Sequence, residues 1–175
     1  SSYNELNLRW NMTRKFALVL IGQQGVKQVL ADYTSGRDYS IDYQWLKSTL
    51  SYQPSTNFRL TLETRGVTKE NTISGGAGET CQILDIGSTF KYNQTDKGSL
   101  QGEFKVLKID YNGNVNSAIG FEMLEALRPG INYTWTIGYQ KTVSKNLQIT
   151  FQYLGRKSED TRIIHTGGME IRAFF

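Results

Sequence analysis

Apolar residues recur at every second position along most of the chain. The clearest run is NYTWTIGYQKT at 132–142, where Tyr133, Trp135, Ile137 and Tyr139 alternate with polar or small residues. A period of two residues predicts β-strands with one apolar and one polar face. We predict about ten strands, defined by the runs 5–12, 15–30, 39–52, 58–64, 82–92, 99–111, 117–123, 132–142, 146–155 and 165–175.

Three of these runs depart from simple alternation. Within 99–111 the apolar positions shift by one residue after Val106, which predicts a β-bulge. A similar slip follows Trp45 in the run 39–52. The segment KFALVLIG at 15–22 is apolar on both faces, and we interpret it as a buried strand rather than a short helix.

Turn-forming residues separate the runs. Pro54 and Pro129 both lie in breaks, and Asn112-Gly113 is a strong hairpin signal. Successive strands joined by such breaks predict an all-β, antiparallel up-and-down meander in a single domain, residues 1–175.

Strand length favours a transmembrane β-barrel over a soluble sandwich. Strands of about 9–11 residues are needed to cross a membrane at a tilt, whereas strands in globular proteins are usually about 5–6 residues long. A meander of long hairpins can close on itself and leave no edge, as lipid requires. Five tyrosines near predicted strand ends fit an aromatic girdle: Tyr39, Tyr52, Tyr92, Tyr111 and Tyr133.

Charges of both signs alternate with the apolar positions. In a barrel they would point into a narrow lumen and pair across strands; in a sandwich they would form an ordinary solvated surface. The predicted lumen-facing residues are Arg9, Arg59, Glu63, Arg65, Asp85, Lys91, Glu103, Lys105, Glu122, Glu170 and Arg172.

The end of the chain, MEIRAFF, resembles the closing strand of bacterial outer-membrane proteins. Met169, Ile171, Ala173 and Phe175 fit the alternating pattern that ends in Phe, which in that family is read by the assembly machinery. The segments RPGINYTWTIGYQKT, LQITFQYLGRKSEDT and HTGGMEIRAFF resemble the C-terminal strands of large outer-membrane proteins of the Bacteroidota. The resemblance covers the last third of the chain and implies the membrane-embedded end of a longer protein.

Composition excludes several functional classes. The net charge of +4 is scattered, which gives no footprint for nucleic acid. One Cys excludes a disulfide framework and a Cys-based zinc site, and one His excludes His-pair sites, so we expect no metal or cofactor. No apolar run is long enough for a transmembrane helix. No signal peptide is visible, so we expect either a processed chain or a fragment.

The sequence leaves three functions open. The leading one is a non-enzymatic outer-membrane barrel that acts as an anchor, a small channel or the barrel component of a surface or transport assembly, with the bilayer, the assembly machinery and possible subunits as partners. The first alternative is a soluble barrel or sandwich binding module, periplasmic or secreted. The second is a lipid-modifying hydrolase that uses His165 with Ser158, Glu159 or Asp160. Glu122 and Glu125 would lie on opposite faces of a strand, which argues against a joint role.

The closing-strand resemblance generates a test. Replacing Phe175 by Ser, or deleting it, is expected to impair membrane assembly, because the terminal aromatic would be lost from the assembly signal. The measurement is the amount of folded protein in the outer-membrane fraction, with Phe174→Ser as the control. If the Phe175 variants assemble as well as Phe174→Ser, the closing-strand interpretation is contradicted.

Overall fold

The computed structural model describes residues 2–29, 38–73, 78–94, 97–159 and 161–174. Within these residues, nine strands form a single antiparallel sheet, in which each strand pairs with its neighbours along the chain. One short helix lies between the sixth and seventh strands. The elements are β1 (Ser2–Asn11), β2 (Phe16–Val29), β3 (Tyr39–Tyr52), β4 (Phe58–Asn71), β5 (Thr80–Gln94), β6 (Gly98–Asn112), α1 (Ala118–Met123), β7 (Gly130–Ser144), β8 (Leu147–Ser158) and β9 (Ile164–Ala173). The predicted all-β antiparallel meander is confirmed.

The predicted strand at 117–123 is wrong, because this segment forms the helix α1. The Ser117 side chain caps the helix by accepting a hydrogen bond from the Gly120 backbone N–H at 3.0 Å. Ile119, Phe121 and Met123 alternate as in a strand, but the spacing of four from Ile119 to Met123 also fits one face of a helix. Met123 is buried whereas Phe121 is 65% exposed, so only the helical spacing matches the packing.

The two ends of the sheet differ in the length of their connections. At one end, here called the hairpin end, the connections 12–15, 53–57, 95–97 and 145–146 have two to five residues. At the opposite end, the loop end, the connections 30–38, 72–79, 113–129 and 159–163 have five to seventeen residues. Helix α1 belongs to the longest of these.

The register gives the sheet two faces of different chemistry. We call the face that carries Arg65 and packs against α1 the inner face, and the face that carries Leu62 the outer face. The outer face is apolar over the hairpin-end part of the strands, yet its side chains are exposed: Leu84 and Ile86 on β5 keep 52% and 53% of their surface. The inner face is polar over the same stretch of β3 to β6, whereas β2 carries Ala17, Val19 and Ile21 there.

At the loop end the apolar side chains change to the inner face. There Ile83 on β5 is the register partner of Ile109 on β6, and both are buried beneath the α1 segment, defined here as residues 118–127. The predicted bulge after Val106 is wrong, since pairing runs without a shift along β6. The shifts in the apolar pattern after Val106 and Trp45 mark the place where the apolar side chains change from one face of the sheet to the other.

The core is small and confined to the loop end. It contains the inner-face residues of β3 to β6 and two residues of the α1 segment, and no second sheet packs on it within the described residues. Its members are Tyr39, Ile41, Val67, Cys81, Ile83, Ile109, Met123 and Leu124. Tyr39 and the half-buried Tyr111 are part of this packing, so they do not belong to an outer girdle as predicted.

The sheet has two free edges. Strands β1 and β9 are the edge strands and do not pair with each other within the described ranges, so the sheet is not closed. Every described residue of both strands is exposed. Because neighbouring strands are antiparallel throughout, β1 and β9 run in the same direction.

The position of Gly155 on β8 leaves no room for a side chain because an aromatic ring lies against it. A Cβ atom there would collide with the indole ring of Trp135, the register partner of Gly155 on β7. Gly155→Ala is therefore expected to lower the free energy of unfolding by about 1–3 kcal/mol, as overpacking does.

The matched control is Gly66→Ala on the same face of β4, where a Cβ atom would meet nothing within 4 Å. This variant is expected to be neutral or slightly stabilising, since Gly is unfavourable inside a strand. Denaturant unfolding midpoints compare the two variants. Equal midpoints would show that the Trp135 ring moves aside freely.

Candidate functional site

The charged residues predicted to share one face do so on the strands. Register pairing places ten of the eleven on the inner face: Arg9, Arg59, Glu63, Arg65, Asp85, Lys91, Glu103, Lys105, Glu170 and Arg172. Glu122 is the exception, since it lies on α1 rather than on a strand. The inner face with its overlying α1 segment is therefore the candidate site.

Ion pairs cross the middle of the inner face. The Lys47 ammonium lies 3.0 Å from the Glu63 carboxylate on the next strand. Lys105 lies 2.6 Å from Glu103 on its own strand. Arg65 Nε lies 3.5 Å from the Asp85 carboxylate, so the cations and anions of β3 to β6 largely neutralise one another.

Glu122 fixes the α1 segment to a distant strand. Its carboxylate accepts a hydrogen bond from Lys27 Nζ of β2 at 2.6 Å, across 95 residues of sequence. Both side chains are partly exposed, so this ion pair is modest in energy. Its geometric effect is to hold α1 above the loop end of β2.

Glu125 joins the α1 segment to β4 with two cations. Arg65 donates from Nη2 to Oε2 at 2.8 Å and from Nη1 to Oε1 at 3.3 Å, a bidentate arrangement. Lys69 donates to Oε1 at 3.0 Å and also to the Met123 carbonyl at 3.0 Å. We call Glu125, Arg65 and Lys69 the Glu125 clamp.

The clamp also controls the charge of Glu125. Burial by itself would raise the pKa of this carboxyl, but the hydrogen bond from Arg65 and the positive charge of Lys69 outweigh burial. The pKa of Glu125 is therefore held below its ordinary value of 4.5. At neutral pH the residue is an anion bound by two cations.

The backbone of the clamp is strained. Glu125 and Ala126 have φ angles of 54° and 60°, the left-handed region that residues with a Cβ atom rarely adopt. Such residues persist where their surroundings impose the conformation. Here the conformation ends the helix sharply and turns the Glu125 side chain toward Arg65 and Lys69.

The α1 segment covers the only cysteine of the chain. Cys81 is fully buried, and its Sγ lies 3.4 Å from the Met123 carbonyl oxygen. It packs in the core as a small buried side chain. Because the α1 segment is its cover, the reactivity of Cys81 reports whether that segment is docked.

A buried asparagine fixes the return of the loop to the sheet. Asn132 at the start of β7 donates to the carbonyl of Arg128 at 2.7 Å and accepts from Ser158 Oγ at 2.5 Å. The Glu159 carboxylate accepts from the Ile131 backbone N–H at 3.1 Å. Both anchors of the loop's end come from the β8 side.

Sequence reasoning did not identify Lys27 and Lys69, and it set aside a joint role for Glu122 and Glu125. The predicted strand separated Glu122 from Glu125 onto opposite faces. On the helix and its terminal turn, both carboxylates instead reach the inner face of the sheet. The available signal was the spacing of three between two acids in a helix-compatible run.

Two of the residues proposed for a hydrolase, His165 and Ser158, do not come together. His165 lies on the outer face, where its Nδ1 is 2.7 Å from the Tyr153 hydroxyl and its ring meets Trp135 edge-on. Ser158 lies on the inner face and bonds Asn132. Asp160 lies outside the described residues. Ser158 and His165 are thus on opposite faces of the sheet.

The predicted assembly residues lie on the outer face of the last strand. Met169, Ile171 and Ala173 share that face of β9, and the side chains of Met169 and Ile171 are exposed. Phe175 lies outside the described residues.

Comparison with known proteins gives no family. No protein-family model matches the chain, and no curated protein is significantly similar to it. Among the described residues, no helix is long and apolar enough to cross a membrane. Within the same residues, no three His, Cys, Asp or Glu side chains are grouped as metal ligands.

The Glu125 clamp predicts that Glu125→Gln loosens the α1 segment. The neutral amide loses the charge-assisted hydrogen bonds, so labelling of Cys81 by a polar thiol reagent is expected to become about tenfold faster. The control is Glu70→Gln on the outer face of β4, the strand that carries Arg65 and Lys69, and it should label like the parent. Parent-like labelling of Glu125→Gln would contradict the clamp.

The rate of Cys81 labelling also tests how docking of the α1 segment depends on pH. A carboxyl whose pKa is lower in the folded state stabilises that state above pH 4.5, and this contribution is lost as the pH falls through the lowered pKa. Cys81 labelling with a disulfide reagent active in acid should therefore accelerate below pH 4.5 in the parent. Glu125→Gln should lack this acceleration.

Proposed function

We propose that the chain forms the wall of a non-enzymatic β-barrel in a bacterial outer membrane, with its outer face toward lipid. The observation that carries this proposal is the exposed surface. The chain exposes 12131 Å², whereas a folded soluble monomer of its mass exposes roughly 8,700 Å². An apolar face of this extent needs a cover.

The outer face has the dimensions and chemistry of a lipid-facing band. On β5 the outward positions from Leu84 to Tyr92 extend over nine residues and are apolar or aromatic except for Ser88, within the length that a membrane strand needs. Above this band, toward the loop end, the outward side chains become polar: Gln44, Thr68, Gln82 and Asp110. This boundary fits a strand that leaves the hydrocarbon layer.

Aromatic rings mark the opposite boundary. At the hairpin end Phe16 and Tyr52 are register partners whose ring centroids are 4.6 Å apart. Phe58 and Tyr92 form the next pair at this end of the outer face. Such rings suit the water–lipid interface, and they support the part of the predicted girdle that lies on the outer face.

The connection lengths orient the sheet. Outer-membrane barrels have short periplasmic turns and longer extracellular loops. On this basis the hairpin end lies in the periplasm and the loop end lies outside the cell. The α1 segment then folds inward from the extracellular side over the loop end of the inner face, where it would narrow the lumen.

The strand directions favour the role of a barrel component. Because β1 and β9 run in the same direction, pairing them directly would require a parallel seam. An all-antiparallel barrel needs an odd number of further strands between β9 and β1, which would bring the total to an even number. This supports a part of a larger barrel assembly over a nine-stranded pore.

The test places an arginine in the proposed lipid band. Ile86→Arg on β5 is expected to cost about 2–4 kcal/mol of folding free energy near the membrane midplane, and to reduce the heat-modifiable folded band in detergent extracts. In a soluble protein, a substitution at a half-exposed position would change stability by only about 0.5 kcal/mol.

The control is Gln82→Arg, four residues away on the same strand and the same face, above the band. It should assemble like the parent, which is expected to be extracted only with detergent. If both variants fold equally well in plain buffer, the outer face is covered by protein, and the soluble binding module is the correct function.

A further inference from the structure

Two cations of the inner face lie side by side at the hairpin end. Arg59 on β4 and Lys91 on β5 are direct register partners, so their side chains project from adjacent positions on the same face. Like charges in such a pair repel and destabilise the sheet. Both residues are solvent-exposed, and an anion between the two cations would offset this repulsion.

The other inner-face cations of β2 to β6 each have a carboxylate. The pairs are Lys27–Glu122, Lys47–Glu63, Arg65–Asp85, Lys69–Glu125 and Lys105–Glu103. Among the described residues, Arg59 and Lys91 make no ion pair. The acid closest in register, Glu103, lies two residues along β6 from the partner of Lys91 and is engaged by Lys105 at 2.6 Å.

The pair lines a small polar cavity of about 120 Å³. Gln53, Thr56, Asn57 and Asn93 form most of the remaining wall, and no described residue of the wall is acidic. Gln53 Oε1 accepts from Arg59 Nη2 at 2.8 Å and from Nε at 3.2 Å, which fixes the guanidinium and leaves Nη1 free to donate. The Lys91 ammonium has three hydrogens to donate.

We propose that this cavity binds an oxoanion group, a phosphate or a carboxylate carried by a solute. A guanidinium held in one orientation supplies directed hydrogen bonds, and an ammonium beside it supplies a second positive charge. The side-chain amides add neutral donors. For Arg59 and Lys91 the anion would play the part that a carboxylate plays for each of the other inner-face cations of β2 to β6.

The experiment is calorimetric titration of the full folded chain with inorganic phosphate and, separately, with acetate at low ionic strength. Saturable binding is expected, with Arg59→Gln and Lys91→Gln each weakening it by about tenfold or more. The control is Lys47→Gln, which removes one positive charge from the same face but belongs to an ion pair. It should bind like the parent.

The outcomes are decisive in both directions. Binding of phosphate, acetate or both that depends on Arg59 and Lys91 supports the site. The probe that binds more tightly shows whether the site prefers a phosphate or a carboxylate group. Absence of saturable binding to the parent, or equal weakening by Lys47→Gln, would overturn it. Since any folded form of the chain can be titrated, a negative result leaves the membrane proposal standing.

A stability measurement provides a second test. Without an anion, Lys91→Gln should raise the denaturant midpoint because it removes the repulsion from Arg59. Lys105→Gln should lower the midpoint because it breaks the pair with Glu103. A lowered midpoint for Lys91→Gln would show that Lys91 already has a stabilising partner, which contradicts the proposal.

Discussion

Nine strands in one layer leave two faces of the sheet to be covered, and the α1 segment covers only part of one. Its buried residues Met123 and Leu124 lie on the loop end of the inner face. Toward the hairpin end the inner face of β3 to β6 is polar and largely charged, and the outer face is apolar and exposed. This division explains the pattern of the central strands. Their side chains are apolar on the inner face beneath the α1 segment, and on the outer face toward the hairpin end.

Contacts with the sheet, both apolar and charged, hold the α1 segment in place more than helix propensity does. A helix of six residues has no independent stability in water. It is followed by two left-handed residues that add strain. Burial of Met123 and Leu124 in the core offsets these costs, together with the ion pairs that three basic side chains of β2 and β4 make with Glu122 and Glu125. The segment is therefore held by contacts with the assembled sheet.

The strands were predictable from the sequence because alternation is a local property. The run 117–123 was mispredicted because a spacing of four satisfies both a strand and a helix, and only packing against Cys81 and Ile109 selects the helix. The bulge after Val106 was inferred from a phase slip whose cause lies elsewhere, in the α1 segment. Partners such as Lys27 and Lys69 could not be found, since they depend on contacts that span 54 to 95 residues.

The meander also sets an order of folding. Every strand pairs with its sequence neighbour, so each hairpin can form without the others. The α1 segment differs, because its basic partners lie on β2 and β4 and its apolar partners on β3 to β6. It cannot find its full set of contacts until these five strands are in register. We expect its docking to be the last step, one that a sheet with a slipped strand would fail to complete.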